Sequence, residues 1–282
     1  MGKYPPHLAN LKHVTGVAWH AKEGVLEVTT PHALARAVGY IKYAGNAQGP
    51  VLFRGQNQLY PTMLPALFRG VKNAGPMYNR IGALKKYVQD VKAAGAFLGN
   101  TPDYTFEAIL QHYGIRTRWL DLVDNFWTAL WFACQQARST GKLGEYLHFS
   151  PSSTEFAYVV LLQGGPERLD PKRPGVAVSD QTTIIDLRRA APSTFLRPHA
   201  QHAMLMCRNS YDSGPESMNL AAFVVGIIRV KTALARSWLG TGELTSTHHV
   251  FPPPVYDDGY HSLLRSAPQG NDIVGAIQHI GA

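Results

Sequence analysis

Cysteine is almost absent from this chain of 282 residues, which contains only Cys134 and Cys207. Two thiols cannot build a disulfide framework for a chain of this length, nor can they hold a zinc ion by themselves. Charged residues are also scarce, at 16% against the ~25% of an average soluble domain, whereas hydrophobic residues make up 45%. This composition excludes an intrinsically disordered protein, which would be rich in charge and poor in apolar residues.

Long apolar runs are missing as well. The sequence has no stretch of about eighteen apolar residues, so no segment is predicted to span a membrane. The first residues, Met1–Pro6, have no apolar stretch behind them and do not resemble a secretory signal. With few cysteines and no targeting segment, we expect a cytoplasmic protein.

Several common catalytic and cofactor-binding motifs do not occur. Gly141-Lys142 is followed by Leu143 rather than Ser or Thr, which excludes a phosphate-binding loop of the Walker type. Gly240 and Gly242 lack the third glycine of a dinucleotide-binding fingerprint, and no Gly-x-Ser-x-Gly element marks a hydrolase nucleophile. The histidines have no cysteines or carboxylates at ligand spacing, so no metal site is predicted.

The apolar residues that are present change their spacing near residue 140. Before it, helical spacing predicts helices over 30–45, 78–94, 101–114 and 124–137, with a buried strand at 51–53 and an extended segment at 117–122. After it, short apolar runs predict strands at 146–149, 158–162, 183–187, 204–207 and 223–230, interrupted by one helix over 232–239. This segregation predicts an α+β fold. We expect one compact domain over residues 30–282, preceded by an N-terminal extension over residues 1–29.

One conspicuous segment is the apolar run that ends in Phe53-Arg54-Gly55-Gln56. An arginine at the end of a buried strand is costly unless it is paired or reaches a cleft. Gly55 permits a close approach of backbone or ligand, and the Arg54 guanidinium suits a phosphate or carboxylate. The alternative is that Arg54 holds a structural carboxylate.

A second segment, residues 111–121, places many hydrogen-bonding side chains between two apolar helices. The end of a helix, Gly114 and a short strand would bring these side chains together at one edge of a sheet. They form a candidate ligand site. The alternative is a structural network in which Arg118 pairs with Asp121.

At these two segments the sequence resembles the FRG domain family, named for its Phe-Arg-Gly motif. Residues 51–69 match the family's apolar strand ending in Phe-Arg-Gly-Gln and the following Leu-x-Pro-x-Leu-Phe-Arg element. Residues 111–133 match its block Gln-His-Tyr-Gly-x-x-Thr-Arg-x-Leu-Asp and the apolar helix behind it. A weaker Arg-x-x-x-Gln element is matched by Arg197 and Gln201. The chain departs from the family at Leu122-Val123, where Trp-Thr is frequent.

The order of these elements is similar to that of the ADP-ribosyltransferase superfamily. There an Arg ends the first strand, a Ser, Thr or Tyr segment precedes a helix, and a Glu or Gln opens a later strand. The similarity implies helices packed on a split, mostly antiparallel sheet, with NAD as a substrate. It implies catalytic roles for Arg54, Thr117 and Gln201. The residues that it implies for NAD binding are Phe53, Arg54, Gly55, Gln56, His112, Tyr113, Arg118 and Asp121.

Glutamine is an incomplete replacement for glutamate in such a site. Gln201 can position groups but cannot act as a base. A missing carboxylate would then have to come from elsewhere, and the candidates are Glu216, Glu243, Asp257 and Asp258. A neutral glutamine is equally compatible with a non-catalytic member of the family.

Three functions therefore compete. The first is an NAD-dependent ADP-ribosyltransferase, such as a toxin or phage-defence effector that an antitoxin or regulatory protein would hold in check. The second is a non-enzymatic module that binds a nucleotide or nucleic acid, and the third is an NAD-hydrolysing enzyme.

The net charge of +8 predicts a polyanionic acceptor, either RNA or single-stranded DNA. The alternative is that the basic charge reflects solubility needs or an acidic partner protein. Basic pairs would attract the polyanion, and they are Lys85-Lys86, Lys172-Arg173 and Arg188-Arg189. The aromatic residues available for base stacking, several of which must belong to the core, are Tyr87, Trp119, Phe126, Trp127 and Trp131.

Overall fold

The structure, a computed structural model, describes residues 6–45, 48–210 and 214–281. Residues 1–5 of the expected N-terminal extension lie outside the described residues. The remainder of that segment takes part in the fold, because residues 17–28 form two strands of the main sheet and Leu8 and Leu11 are buried in the core.

The strands of the described residues form two sheets. In chain order they are β1 (Val17–His20), β2 (Val25–Val28), β3 (Val51–Gln56), β4 (Leu120–Val123), β5 (Gln135–Thr140), β6 (Tyr146–Pro151), β7 (Phe156–Gln163), β8 (Arg168–Leu169), β9 (Val176–Val178), β10 (Thr182–Asp186), β11 (Ala203–Arg208), β12 (Val224–Lys231) and β13 (His279–Gly281). Ten of them form one large sheet in the order β1-β2-β12-β7-β3-β4-β11-β10-β9-β8. The other three form a small sheet in the order β13-β6-β5.

Neighbouring strands of the large sheet are antiparallel, except that β12 runs parallel to β2. Along β3 and β7 the pairing is continuous from Val51 to Gln56. By contrast, β3 and β4 meet at a single residue pair, Phe53 opposite Val123. The sheet therefore consists of two five-stranded halves joined at one narrow seam between β3 and β4.

The helices pack on this sheet, as expected for an α+β fold. They are α1 (Pro31–Ala44), α2 (Ala74–Ala93), α3 (Phe106–His112), α4 (Phe126–Ala133), α5 (Leu187–Ala190), α6 (Leu196–Ala200), α7 (Thr232–Leu239), α8 (Thr247–Val250) and α9 (Asp258–Ser266). The start of α4 is fixed by Asn125, whose Oδ1 accepts hydrogen bonds from the backbone N–H groups of Trp127 and Thr128 at 2.9 and 3.3 Å. Among the described residues, no helix combines the length and apolar character that crossing a bilayer requires.

Each half of the sheet has its own apolar core on the helical face. One core joins α1, α4 and α7 to the half that ends in β3, and it contains Phe53. The other joins α2, α3 and α5 to the half that begins with β4, and it contains Tyr113. A third core covers the opposite face of the sheet, where Leu52 of β3 and Leu122 of β4 belong to the same cluster. The seam is thus closed on one face and lies between two cores on the other.

Two predicted features of the secondary structure are wrong. The helix at 124–137 ends at Ala133, because β5 begins at Gln135 and pairs along its whole length with β6. The helix over 232–239 is present, but α5, α6, α8 and α9 also interrupt the strands. These helices have four to nine residues, which is too short for periodicity to separate them from loops.

Candidate functional site

A cleft opens at the seam between β3 and β4. Beyond the pair of Phe53 and Val123 the backbones part, and Arg54 Nη1 donates a hydrogen bond to the carbonyl oxygen of Asp121 at 2.7 Å. A side chain thereby bridges the two halves where the β-ladder stops. The gap has a volume of about 370 Å³, within the range of pockets that bind small molecules.

The cleft collects residues from distant parts of the chain. Of the predicted site residues it is lined by Phe53, Arg54, Gly55, Gln56, His112, Asp121 and Gln201. Arg54 is the single cationic side chain and Asp121 the single carboxylate in this lining. Amides are numerous around them, and these are Gln56, Asn57, Gln111, Gln135, Gln201 and Gln278.

Gly55 is required by a helix that crosses the strand. A Cβ atom at this position would collide with the carbonyl oxygen of Ala129 and would lie 2.7 Å from the backbone nitrogen of Ala133. Both atoms belong to α4, so neither can move away as a flexible side chain would. The close approach predicted at Gly55 is therefore made by the backbone of α4, which forms one wall beside the cleft.

His112, at the end of α3, lies between two polar partners. Its Nδ1 is 3.1 Å from Oε1 of Gln201, and its Nε2 is 3.8 Å from Oδ1 of Asp121. Asp121 is held from its other oxygen, because Gln111 Nε2 donates to Oδ2 at 2.7 Å. The histidine and the carboxylate therefore face each other across the floor of the cleft.

Buried polar atoms without a hydrogen-bond partner converge on this cleft. They are Nε of Arg54, Oε1 of Gln56, Nε2 of His112 and Oδ1 of Asp121. An unpartnered buried polar atom costs about 1–3 kcal/mol, so four of them in one lining require an explanation. A bound ligand that supplies the missing partners is the simplest one.

Burial alters the acid–base behaviour of two of these groups. It lowers the pKa of His112 below the ordinary value of 6.5, against the opposing effects of the Asp121 charge and the Gln201 hydrogen bond, while the Arg197 charge lowers it further. Burial also lowers the pKa of Arg54, which the charge of Asp121 partly offsets. Burial of His112 therefore favours its neutral imidazole, which can accept a proton.

Three residues that the resemblance implies for the site do not line the cleft. Tyr113 is fully buried, and its hydroxyl donates to Oδ2 of Asp257 at 2.7 Å. Thr117 is also fully buried, donates from Oγ1 to Oε1 of Gln111 and accepts from the backbone N–H of Trp119. Through Gln111, Thr117 supports the position of Asp121 from outside the cleft.

Arg118 is the third of these residues, and it pairs with Glu107 rather than with Asp121, as the alternative of a structural network would have it. Its Nη2 lies 2.6 Å from Oε2 of Glu107, and its Nε lies 3.0 Å from both oxygens of the same carboxylate. The backbone N–H of Arg118 donates to that carboxylate as well, at 3.1 Å. Arg118 thus connects the segment before β4 to Glu107 of α3. Asp121 does not pair with Arg118, and it lines the cleft.

The carboxylates considered as replacements for a glutamate lie elsewhere. Asp257 is completely buried, and its oxygens accept from Tyr113, from the backbone N–H of Arg197 and from the backbone N–H of Tyr260. Glu216, Glu243 and Asp258 are exposed and do not line the cleft. Asp121 is the carboxylate that lines the cleft.

Sequence reasoning missed the apolar wall of the cleft. It is made by Phe132 of α4, Leu147 and Phe149 of β6, and Phe251. Phe149 and Phe251 stack with ring centroids 4.6 Å apart, and Phe132 meets Phe251 edge-on at 6.0 Å. Leu147, Phe149 and Phe251 lie outside the matched motif blocks, and the small sheet brings Leu147 and Phe149 to the seam. Among the described residues no cluster of three potential metal ligands occurs.

The part of the chain that contains β3 and β4, the two strands of the seam, matches a known protein family. The family model described as the FRG domain matches residues 49–142. The chain contains an FRG domain. The match spans both blocks that carried the resemblance, whereas the Arg197–Gln201 element lies outside it. Neither the curated proteins nor the solved structures compared with the chain gave a match.

Proposed function

We propose that the cleft binds NAD as a substrate and that the protein transfers ADP-ribose from it to an acceptor. The observation that carries this proposal is the convergence of four unpartnered polar atoms on one cleft. Three of them are acceptors, and Nε of Arg54 is the single donor. The buried part of the ligand must therefore be rich in hydrogen-bond donors, as ribose hydroxyls and a carboxamide are.

The charge distribution supports a nucleoside in the cleft more than a bare phosphate. A phosphate would face the Asp121 carboxylate and the acceptor atoms of Gln56 and His112, with one cation to offset them. A ribose can donate to those acceptors while Arg54 contacts its oxygens. The ring faces of Phe132, Phe149 and Phe251 provide an apolar surface for a heterocycle.

The chemistry then follows from Asp121. Cleavage of the bond between the ribose C1″ and the nicotinamide nitrogen leaves the electron pair on the nicotinamide and positive charge on the sugar. A carboxylate held beside the ribose by Gln111 stabilises that developing charge. The acceptor nucleophile forms a new bond to C1″ and loses one proton. Gln201 takes no proton in this step.

The order of motifs and the narrow seam of the sheet support an ADP-ribosyltransferase-like fold as part of the same proposal. Arg54 lies on the strand at the seam, and Gln201 lies two residues before β11. Both line one cleft although 147 positions separate them in the chain (201 − 54). Two of the three catalytic elements that the resemblance implies therefore meet at one cleft, which supports the proposal.

The test is release of nicotinamide from NAD by the full-length chain, measured chromatographically with and without a cell lysate as the source of acceptor. A transferase releases nicotinamide mainly when lysate is present, an NAD hydrolase releases it without lysate, and a binding module releases none. Either of the last two results contradicts the proposal.

Asp121→Asn is the informative variant, because it removes the charge and keeps the shape. We expect the rate of nicotinamide release to fall about 100-fold or more. Asp103→Asn is the matched control, since Asp103 is exposed and pairs with Lys92 at 2.5 Å away from the cleft. Equal rates for wild type and Asp121→Asn would contradict the role given to the carboxylate.

A further inference from the structure

The Arg-x-x-x-Gln element contacts His112 at two points. Arg197 lies in α6 and Gln201 caps its C-terminus one turn later, with the backbone N–H of Gln201 bonded to the carbonyl of Arg197. Nη1 of Arg197 donates to the carbonyl oxygen of His112 at 2.6 Å. Oε1 of Gln201 lies 3.1 Å from Nδ1 of the same histidine. One short helix thereby holds both the backbone and the ring of His112.

The second of these contacts fixes which ring nitrogen carries the proton. Nε2 of Gln201 is committed to the carbonyl oxygen of Val250 at 3.0 Å, so its Oε1 faces the imidazole. An amide oxygen only accepts hydrogen bonds, and Nδ1 of His112 must therefore be the protonated nitrogen. Nε2 then carries the lone pair. It is buried, has no partner in the protein and lies 3.8 Å from Oδ1 of Asp121.

The first contact is made by a cation that has little freedom to move. Arg197 is 1% exposed, and its guanidinium lies over the rings of Tyr113 and Tyr260 at 4.5 and 4.6 Å. Phe251, which also lines the cleft, lies 5.4 Å from it. The backbone N–H of Arg197 is bonded to the buried Asp257 at 3.0 Å. Its aromatic surroundings leave the carbonyl of His112 as the acceptor for Nη1.

We propose that His112 is the group that accepts the proton of the acceptor nucleophile, and that Arg197 and Gln201 are positioning residues that hold it for this task. This inference rests on the proposed function. As the bond from the nucleophile to C1″ forms and nicotinamide leaves with its electron pair, the nucleophile's proton passes to Nε2 of His112. Asp121 stabilises the imidazolium that results.

The two contacts of Arg197 and Gln201 with His112, here called the clamp, can be tested independently of enzyme activity. The method is nitrogen NMR of the histidine rings in the full-length chain. His112→Gln identifies the signal among the 12 histidines. In the wild type we expect a neutral ring protonated at Nδ1 at pH 7, with an apparent pKa below 6.5. A ring protonated at Nε2 would overturn the clamp, whatever the enzymatic result. If the chain releases no nicotinamide but the Nδ1-protonated ring is found, the proposed function fails and the clamp stands.

Two substitutions of Gln201 separate positioning from simple structural support. Gln201→Glu keeps an acceptor opposite Nδ1, so the tautomer is retained, and the added charge raises the pKa of His112. The acid side of the rate profile then moves to higher pH. Gln201→Leu removes the acceptor, and we expect a mixture of tautomers with kcat about 10-fold lower and KM for NAD little changed. Parallel losses in both variants, with an unmoved pH profile, would overturn the proposal.

Arg197→Lys tests the other point of the clamp, with Arg80→Lys as the control. Arg80 also donates to carbonyl oxygens, at 2.8 and 3.0 Å, but lies on α2 outside the cleft. We expect kcat to fall about 10-fold in Arg197→Lys and to stay within about 2-fold of the wild type in Arg80→Lys. Replacing the base itself, in His112→Gln, should lower kcat about 10²–10⁴-fold. A normal kcat in His112→Gln would overturn the assignment even if Arg197→Lys proves too unstable to measure.

Discussion

At the scale of single residues, what distinguishes the cleft is that its unpartnered polar atoms occur together. Buried polar atoms without a partner also occur outside the cleft, on Glu167, Thr194, Arg197, His199 and Thr232. A single atom of this kind is a local cost to stability. Four in one cavity, from β3, α3 and β4, indicate a ligand site. A buried polar atom without a partner therefore indicates a ligand site only where several such atoms line the same cavity.

Glu167 illustrates the isolated case and gives a prediction on stability. Burial raises the pKa of its carboxyl to about 7 from the ordinary 4.5. A folded-state pKa above the unfolded value contributes stability that is fully present below pH 4.5 and is lost as the pH rises through about 7. Glu167→Gln, which cannot ionise, should therefore leave Tm nearly unchanged at pH 5. At pH 8 it should raise Tm by ~2 °C, which corresponds to about 1 kcal/mol in a chain of this size.

Thermal unfolding between pH 5 and pH 8 checks this expectation. Glu155→Gln is a suitable control, because Glu155 is exposed, and Tm should then change little at either pH. A rise in Tm for Glu167→Gln that is equal at pH 5 and pH 8 would show that packing, and not ionisation, is responsible.

At the scale of secondary structure elements, the seam is what turns the FRG motif into a site. Phe53 and Gly55 face the helical side, where α4 lies directly on Gly55, while Leu52 belongs to the core on the opposite face of the sheet. On one edge β3 pairs continuously with β7, and on the other edge it meets β4 at Phe53 alone. The glycine of the motif is therefore explained by the contact between a helix and a strand.

Gly55→Ala tests that contact. The added methyl group would meet backbone atoms of α4 that cannot move independently, so we expect a loss of about 3 kcal/mol or more in the free energy of unfolding. Gly82→Ala is the matched control, because Gly82 lies inside α2 with open space around its Cα. There alanine should stabilise the helix by up to about 1 kcal/mol. Denaturant unfolding of both variants decides the matter, and equal stability for the two would contradict the packing described.

The sequence allowed elements with strong local signals to be predicted, and it failed where tertiary contacts decide. The Thr30 cap and the apolar stripe behind it correctly predicted α1, and the run ending at Phe53 predicted β3. Residues 135–140 are polar and mostly exposed, and they form a strand because β6 pairs with them. Phe251 reaches the cleft only through the fold. Motifs thus located one side of the site and could not locate the wall opposite.

At the scale of the whole molecule, the net charge of +8 is not concentrated at the three basic pairs that the sequence suggested as contacts for a polyanion. One member of each pair is engaged by carboxylates: Lys86 by Asp90, Arg173 by Asp170, and Arg188 by Asp124 and Asp186. Surface ion pairs of this kind reduce the local field without removing the net excess of cations. The attraction of this protein for a polyanion should therefore be long-ranged and diffuse.

The aromatic residues considered for base stacking also need correction. Tyr87, Trp119 and Trp131 are buried, and Phe126 and Trp127 pack against the core around α4. Exposed aromatic rings do exist in the described part of the chain, and they are Tyr43, Tyr60, Tyr78, Tyr146 and Tyr256. Tyr60 is notable among them, because it is 43% exposed and also lines the cleft. It is the ring placed to meet a base that approaches the site.

These two corrections sharpen the prediction about the acceptor. We expect ADP-ribose to be transferred to RNA or single-stranded DNA, because an unpaired base can leave its stack and enter a cleft whereas a paired base cannot do so without cost. Incubation with labelled NAD and separate pools of RNA, single-stranded DNA, duplex DNA and protein measures the distribution of label. Transfer to single strands should weaken as salt rises, since diffuse electrostatic attraction is screened. Tyr60→Ala should reduce it several-fold more than Tyr78→Ala, because Tyr78 is exposed but does not line the cleft. Label found in protein alone would contradict a nucleic-acid acceptor and leave an acidic partner protein as the explanation of the charge.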